Sequence, residues 1–552
     1  MVFRHRPGLT RRAFLATAAG AALGARLSAQ PTREVLYNGI TLAQPWPPRR
    51  ARLSKAPERP PYLASPPDPI RIDVGRQLFV DDFLIEESSL YREFHKAVYH
   101  PANPLLAPEE PWETADPYAI NTKTPPSPAA MVFSDGVFFD PADRLFKMWY
   151  MAGYQQHTAL ATSTDGIAWA RKNANVIPGT NIVRKHRRDS STVWLDLNAR
   201  DRSERFKMAW TAMEGSGLLH LSTSPDGIHW TDRADAGPAG DRSTCFYNPF
   251  RNRWCFSLRD NDPLLKRIRR YYESPDFTAR WNEGEPVPWV AADTLDLVRE
   301  GGDVPAELYN LDAVAYESVM LGLFAIFRGE SSDREKPNDL CVGFSRDGFH
   351  WSRPSRDAFI GVSERQGDWN WANVQSAGGV CAVVGDRLHF YVSGRAGVPG
   401  TSAPGRCSTG LATLRRDGFA SVTDVWPAGS TRTLARQAAT LITRPLRFSG
   451  GHAFVNADIE GAMRVELLDR SGRTIPGFNE DRCEVMRGDS TKLAIRWKNA
   501  PPLESLANTD VRFKFVLSRA KLYAFWVSQS ARGESRGYLG AGGPGFAGTI
   551  DA

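Results

Sequence analysis

A short motif that recurs five times constrains the fold of this chain more than any other feature. Each copy follows a strand rich in aromatic residues and reads Ser-x-Asp-Gly-x-x-Trp or a degenerate relative of it. An Asp-Gly pair between apolar runs predicts a tight hairpin turn, because glycine accepts the positive φ that such turns need. The copies contain Asp165-Gly166, Asp226-Gly227, Asp276-Phe277, Asp347-Gly348 and Asp417-Gly418.

The spacing of this motif predicts the size of the repeated unit. Successive motif aspartates lie 50 to 71 residues apart, which fits a four-stranded antiparallel sheet with a variable loop. A ring of five such sheets leaves no open edges. We therefore predict an all-β chain with a five-bladed β-propeller. The motif itself should be structural, its aspartate capping the turn and its tryptophan packing between blades.

Changes in composition along the chain predict four segments. Residues 1–29 have the pattern of an export signal, and residues 30–68 are Pro-rich, which predicts an extended leader on the surface. Residues 69–432 contain the repeat and should form the propeller. Residues 433–552 alternate apolar and polar positions, which predicts a β-sandwich that ends in a Gly-rich tail.

The N-terminal signal predicts where the protein works. Arg11-Arg12 precede a weakly apolar Ala/Gly-rich run, the pattern of a twin-arginine signal, with an ordinary secretory signal as the alternative. Residues 1–29 hold five arginines and no acid, so their removal lowers the formal net charge from +7 to +2. We expect a periplasmic or extracellular protein.

Charge and hydropathy of the mature chain exclude two classes of partner. No block rich in lysine and arginine remains to follow a phosphate backbone, so we expect no nucleic-acid partner. No apolar run approaches the roughly 20 residues that a transmembrane helix needs, so we expect no membrane span.

The six cysteines predict neither a disulfide framework nor a zinc site, because they are sparse and form no CxxC pair. Cys245 and Cys255 flank a predicted hairpin turn, and the sequence leaves open whether they form a disulfide or remain two buried thiols. We expect no required cofactor and no metal at the site. A structural calcium ion is left open.

Charged residues recur at one end of the predicted blades. In a propeller the innermost strand of each blade begins at the mouth of the channel where the second strand ends. Carboxylates and arginines at these positions should therefore converge on one face. They are Asp189, Asp241, Glu307 and Asp312 at innermost strands, and Glu214, Arg259, Arg328 and Arg395 after second strands.

Converging carboxylates are what hydrolysis of a glycosidic bond requires. One carboxyl group must donate a proton to the leaving oxygen, and the other must attack the sugar or activate water. Neighbouring carboxylates push their pKa values apart and so divide these roles. We predict Asp189, Asp241 and Glu307 as catalytic, the alternative being that each caps a loop or pairs with a nearby arginine.

The arginines predict a second property of the substrate. Arg259, Arg328 and Arg395 leave equivalent ends of three consecutive strands, a geometry suited to holding a carboxylate or sulfate. These arginines, with Asp82, Glu214 and Asp312, are the predicted substrate-binding residues. The alternative is that they neutralise adjacent acids.

The predicted architecture and one motif resemble the invertase and arabinanase type of glycoside hydrolases, families 32 and 43. Arg188-Asp189 with Val193-Trp194 looks like the family segment Arg-Asp-Pro-x-Val-Phe, with Ser190 in place of proline. The resemblance implies that Asp189 positions substrate and tunes the acid. It implies that Glu307 is the acid.

The family nucleophile motif, Asn-Asp-Pro, is absent, and Asp82 in Val80-Asp81-Asp82-Phe83 is the nearest candidate. Asp241 is the other candidate for the nucleophile or base. The predicted partner is an oligosaccharide or polysaccharide substrate. Two alternatives stay open. One is a sialidase-like hydrolase, and the other is a propeller that binds carbohydrate without cleaving it.

Overall fold

The computed structural model describes residues 33–115, 127–213, 217–300, 302, 304–329, 333–334, 336–427 and 439–552. Within these ranges the chain is nearly all β-structure. Its two α-helices, α1 (Pro61–Ala64) and α2 (Pro111–Thr114), have four residues each, and each begins with a proline at its first position. The predicted signal, residues 1–29, lies outside the described residues.

Short strands precede the repeated sheets. They are β1 (Ile70–Arg71), β2 (Gln77–Leu78), β3 (Ile85–Ser88), β4 (Tyr91–Phe94) and β5 (Val98–Tyr99).

Three groups of four strands follow, and within each group every strand pairs with the next in antiparallel order. The first is β6 (Ala129–Asp140), β7 (Leu145–Ala152), β8 (His157–Ser163) and β9 (Ile182–Arg184). The second is β10 (Arg188–Leu195), β11 (Phe206–Ala212), β12 (Leu218–Ser224) and β13 (Thr231–Pro238). The third is β14 (Thr244–Asn248), β15 (Arg253–Asp262), β16 (Lys266–Ser274) and β17 (Val287–Ala291).

Two further groups complete this part of the chain. The fourth is β18 (Glu307–Glu317), β19 (Val319–Phe327) and β20 (Asn338–Ser345). The fifth is β21 (Asn373–Ser376), β22 (Ala382–Val384), β23 (Arg387–Arg395) and β24 (Cys407–Arg415). The early strand β5 pairs with β24, and β24 also meets β6 of the first group.

The first strands of the five groups contact one another in a closed cycle. β6 contacts β10, β10 contacts β14, β14 contacts β18, β18 contacts β21, and β21 returns to β6. One hydrophobic core runs through all five groups.

The Asp-Gly turns join neighbouring groups, in keeping with their predicted structural role. In the first copy, Asp165 Oδ1 accepts the backbone N–H groups of Ile167 and Ala168, at 2.8 and 2.9 Å. The indole of Trp149, on β7, donates to the carbonyl of Gly227 at the next group's turn, at 2.8 Å. These turns therefore both reverse the chain and hold adjacent sheets together.

A second sheet of eight strands combines both ends of the described chain. Its C-terminal strands are β25 (Ala420–Thr423), β26 (Ala439–Thr443), β28 (His452–Leu468), β29 (Met486–Ala494) and β30 (Arg512–Ser528). β2, β3 and β4 join them by pairing with β30, β26 and β25. A two-stranded sheet joins β1 to β27 (Leu446–Arg447).

The predicted segment boundary at residue 69 does not match this pairing. Leu36 and Tyr62 of the predicted leader, and Phe79 of the predicted propeller, belong to the same core as Phe515 and Phe525. Short strands of two to four residues carry too little periodicity to be seen in the sequence. The predicted β-sandwich stays a prediction, and its boundary at residue 433 lies outside the described residues.

The C-terminal tail returns to the repeated sheets. β31 (Tyr538–Leu539) pairs with the end of β18. The Asp551 carboxylate lies 3.2 Å from the Arg416 guanidinium. The predicted tail is therefore ordered against the sheets.

The two cysteines that flank a hairpin remain free thiols. The hairpin between β14 and β15 forms, but Cys245 lies opposite Phe256 and Cys255 lies opposite Phe246. Successive residues of a strand point to opposite faces. This one-residue offset therefore separates the thiols.

Candidate functional site

A cavity of about 240 Å³ opens where strand ends of the repeated sheets converge. Five cationic and two carboxylate side chains line it, so its wall is predominantly positive. They are Arg242, Arg267, Arg334, Lys336, Arg395, Asp189 and Asp241. Aromatic side chains of Phe133, Tyr154, Tyr309 and Trp371 also line it.

Asp189 lies near the start of β10, where the pairing with β11 shifts register between Arg188 and Ser191. Its Oδ1 accepts the backbone N–H of Arg242 at 3.2 Å, and its Oδ2 accepts Gln155 Nε2 at 3.4 Å. Burial, and then the negative charge of Asp241, raise the pKa of Asp189. A carboxyl group in this environment is suited to hold and donate a proton.

Asp241 lies just before β14 and has the opposite character. Its side chain is 53% exposed and lies 3.1 Å from Arg259 Nε. Asp241 is therefore an exposed carboxylate in an ion pair, whereas Asp189 is a shielded one. The cavity therefore joins two carboxyl groups in contrasting environments.

Glu307 lies behind the cavity wall rather than on it. At the start of β18, its Oε2 accepts Arg267 Nη1 at 2.7 Å. Arg267 in turn packs over the Tyr309 ring at 4.9 Å, and both of these residues line the cavity. Of the three predicted catalytic carboxylates, the cavity thus brings together Asp189 and Asp241.

Arg242 is one of the site residues that the sequence did not single out, with Arg267, Arg334 and Lys336. It is only 2% exposed, and none of its three guanidinium nitrogens has a hydrogen-bond partner among the described residues. Its guanidinium lies 3.8 Å from the centre of the Phe133 ring. The available signal was its position beside Asp241 at the start of a blade.

Arg395 reaches the same ring from the end of β23. Its guanidinium carbon lies 5.3 Å from the centre of Phe133 and 5.5 Å from that of Tyr154. Its Nε also lacks a hydrogen-bond partner among the described residues. Two cations therefore share one aromatic platform without a bonded carboxylate.

A buried ion pair lies beside this group. Asp135, in the middle of β6, meets Arg188 at 2.9 Å, and neither side chain is exposed. Burial raises the pKa of Asp135 to about 6, against the opposing effect of Arg188. The sequence signal for this position was an Asp-Gly pair inside an apolar strand.

Two other predicted binding residues, Asp312 and Arg328, do not line the cavity. Asp312 is buried and accepts Asn310 Nδ2 at 2.9 Å and Ser376 Oγ at 2.6 Å. Arg328 donates to the carbonyls of Leu297 and Arg356, at 3.0 and 2.6 Å.

Of the last two predicted residues, Asp82 does not line the cavity. Asp82 belongs to the segment that joins the second sheet; its side chain is 65% exposed and pairs with Arg92 at 2.6 Å. Glu214 lies outside the described residues. Within the described ranges, no group of three or more His, Cys, Asp or Glu side chains is arranged to hold a metal ion.

Solved structures of glycan-active proteins are similar to this chain. An N-acetylgalactosamine deacetylase from F. plautii is 15% identical, with a TM-score of 0.40 over 59% of this chain and 96% of its own. A thermostable family-43 glycoside hydrolase is 13% identical, with a TM-score of 0.38 over 56% of this chain and 100% of its own. An exo-beta-1,3-galactanase from Phanerochaete chrysosporium is 13% identical, with a TM-score of 0.34 over 73% and 99%.

These structures include glycoside hydrolases of the type that the sequence resembles. No family model and no curated protein matches the sequence. Across the described residues, no helix has the length and apolar character to cross a membrane.

Proposed function

We propose that this chain is an exported glycoside hydrolase that acts on a glycan in the cavity at the strand ends. One observation carries the proposal: a carboxyl group whose pKa is raised and a solvated, ion-paired carboxylate line the same cavity. In this assignment Asp189 donates the proton to the leaving oxygen. Asp241 acts as nucleophile or base.

The proposed architecture is a five-bladed propeller followed by a β-sandwich. The closed cycle of contacts between β6, β10, β14, β18 and β21 supports five blades. In this arrangement the sheets hold the two carboxylates on adjacent innermost strands. The paired arginines before the apolar run support export.

The predominantly positive wall favours a glycan that carries negative charge. Glu307 and Asp241 already neutralise Arg267 and Arg259. Of the other wall cations, Arg242 and Arg395 can bind an anionic group of the substrate.

A sialidase-like reaction would need a tyrosine that attacks as its phenolate. Burial raises the pKa of Tyr154 at the cavity wall to about 12. Its hydroxyl therefore stays protonated at neutral pH. The raised pKa makes the Tyr154 phenolate, which such an attack would need, harder to form than that of an ordinary tyrosine.

The decisive experiment is a hydrolysis assay on the purified mature chain with neutral, uronate-containing and sulfated oligosaccharides. We expect the wild type to release new reducing ends from at least one of these three groups of oligosaccharides. The variants Asp189→Asn and Asp241→Asn should lose this activity. Asp82→Asn is the matched control, because Asp82 is a carboxylate outside the cavity. Release that survives both cavity substitutions would disprove the assignment.

A second candidate function is carbohydrate binding without cleavage. The position of Glu307 favours it, because the carboxylate that the resemblance implies as the acid pairs with Arg267 and does not line the cavity. Binding of a glycan with no turnover by the wild type would establish this alternative.

A further inference from the structure

We infer that Arg242 and Arg395 form a site for an oxyanion on the sugar, a carboxylate or a sulfate ester. This inference rests on the proposed function, and it specifies the substrate class. The two guanidinium groups approach the same Phe133 ring, at 3.8 and 5.3 Å from its centre. Both residues line the cavity.

The buried guanidinium of Arg242 is costly unless an anion meets it. A charged group that leaves water without a compensating partner loses its favourable solvation and gains nothing in return. At 2% exposure Arg242 has left water, and its guanidinium makes no hydrogen bond to any described residue. The Phe133 face offers only a weak electrostatic attraction in exchange.

The neighbouring carboxylates do not fill this role. Asp189 bonds the backbone N–H of Arg242 rather than its side chain. Asp241 is engaged by Arg259, at 3.1 Å.

Asp312, the third nearby carboxylate, is also engaged. It accepts hydrogen bonds from Asn310 and Ser376. All three acids therefore lie close to Arg242 without bonding its side chain.

The other arginines of the wall differ from this pair because they are already bonded. Arg267 holds Glu307 at 2.7 Å. Arg334 donates to the carbonyls of Ser363 and Trp371 and to the Glu364 carboxylate. Arg242 and Arg395 are thus the two wall arginines whose guanidinium groups form no hydrogen bond or ion pair with a described residue.

The ligand follows from the shape of these donors. A guanidinium presents planar N–H groups that match the paired oxygens of a carboxylate or sulfate. Asp189 adjoins Arg242 through its backbone hydrogen bond, so a sugar held by its oxyanion would lie next to the proposed acid. Aromatic neighbours such as Tyr154 can cover the apolar face of the ring.

The test measures binding of monosaccharides, which contain no glycosidic bond to cleave. Glucuronate, galacturonate and glucose 6-sulfate are compared with glucose by titration calorimetry or ligand-observed NMR. We expect the acidic sugars to bind at least about tenfold tighter than glucose, because a charge-assisted hydrogen bond contributes roughly 1.5–3 kcal/mol. Added sodium chloride should weaken the binding of the acidic sugars but not that of glucose.

Variants locate the site. Arg242→Met and Arg395→Met should each weaken acidic-sugar binding about 10- to 100-fold and leave glucose binding unchanged. Arg233→Met is the matched control, because Arg233, on the outer strand β13, pairs with Glu204 in the turn that precedes β11, away from the cavity. Carboxylate and sulfate sources are distinguished by which acidic sugar binds more tightly.

Two results would overturn the inference: equal binding of glucose and the acidic sugars, or unchanged binding in both cavity variants. Inorganic sulfate that binds as tightly as glucose 6-sulfate would overturn the assignment to a sugar substituent. If the protein hydrolyses only neutral glycans, the proposed hydrolase function would hold but the oxyanion site would not. If acidic sugars bind in a way that depends on these arginines but no glycan is cleaved, the oxyanion site would hold but the proposed hydrolysis would not.

Discussion

Arg188 and Asp135 form an ion pair of 2.9 Å in which both side chains are completely buried. Such a pair stabilises little relative to apolar residues, but loss of one partner strands the other charge. The pair adjoins Asp189, whose backbone carbonyl accepts Arg188 Nη1 at 3.1 Å. The position of the proposed acid therefore depends on a buried electrostatic contact.

Arg188→Met should lower the free energy of unfolding by about 3–5 kcal/mol at pH 8, and by less at pH 5. Asp135 already has its pKa raised to about 6 by burial, and loss of Arg188 raises that pKa further. A folded-state pKa above the unfolded value means that stability falls as the pH rises above the unfolded value. Thermal unfolding at both pH values measures the difference.

The double variant Asp135→Asn/Arg188→Met supplies the control, because it contains neither charge. We expect its stability to depend less on pH than that of Arg188→Met alone. Equal destabilisation of Arg188→Met at pH 5 and pH 8 would contradict this account of Asp135.

Asp189→Asn should reduce hydrolysis about 10²- to 10⁴-fold, the usual contribution of a general acid. The wild-type kcat should fall as the pH rises through the raised pKa of Asp189, since the protonated carboxyl group is the active form. The residual activity of the variant should lack this alkaline limb. If the variant keeps the same fall in activity at alkaline pH, a group other than Asp189 must be responsible for that fall.

Arg242→Met should keep or increase thermal stability in the absence of sugar, because it removes a buried cation that lacks a bonded partner. Arg346→Met provides a matched comparison. Arg346 is also 2% exposed, but it pairs with Asp81 at 2.8 Å. Arg346→Met should lower the free energy of unfolding by about 3–5 kcal/mol. Equal losses in the two variants would argue that Arg242 has a structural partner.

Gly227→Ala should destabilise the chain more than Gly179→Ala. Both glycines have nearly the same positive φ, +78° and +79°, so the backbone strain is matched. A Cβ at Gly227 would lie 2.5 Å from Trp149 Cζ2, whereas Gly179 has no atom within 4 Å of that position. Because of overpacking, we expect Gly227→Ala to lower the free energy of unfolding by about 1–3 kcal/mol more than Gly179→Ala does. Denaturant unfolding measures this difference. Similar costs would indicate that the Trp149 side chain can yield.

The sequence predicted what local chemistry determines. The Asp165 and Asp226 turns are set by hydrogen bonds within three residues, so their pattern is visible in the chain itself. Asp189 and Asp241 could be proposed because strand starts are readable from the repeat. Their adjacent innermost strands then bring them to one cavity.

What the sequence did not predict depends on partners distant in the chain. Glu307 is held behind the wall by Arg267, 40 residues away. Whether Arg242 has a partner is decided by the whole cavity and not by its own neighbours in sequence. The two-residue strands Ile70–Arg71 and Gln77–Leu78 exist because they pair with C-terminal strands.

The pairing of early and late strands also fixes the order in which this molecule can be completed during synthesis. β2 and β4 join β30 and β25, and β5 joins β24, across more than 300 residues of intervening chain. The segment that leaves the ribosome first must therefore wait for one made near the end. A nascent chain that stops after β23 would leave β2, β4 and β5 without their partner strands, and unpaired strand edges invite aggregation.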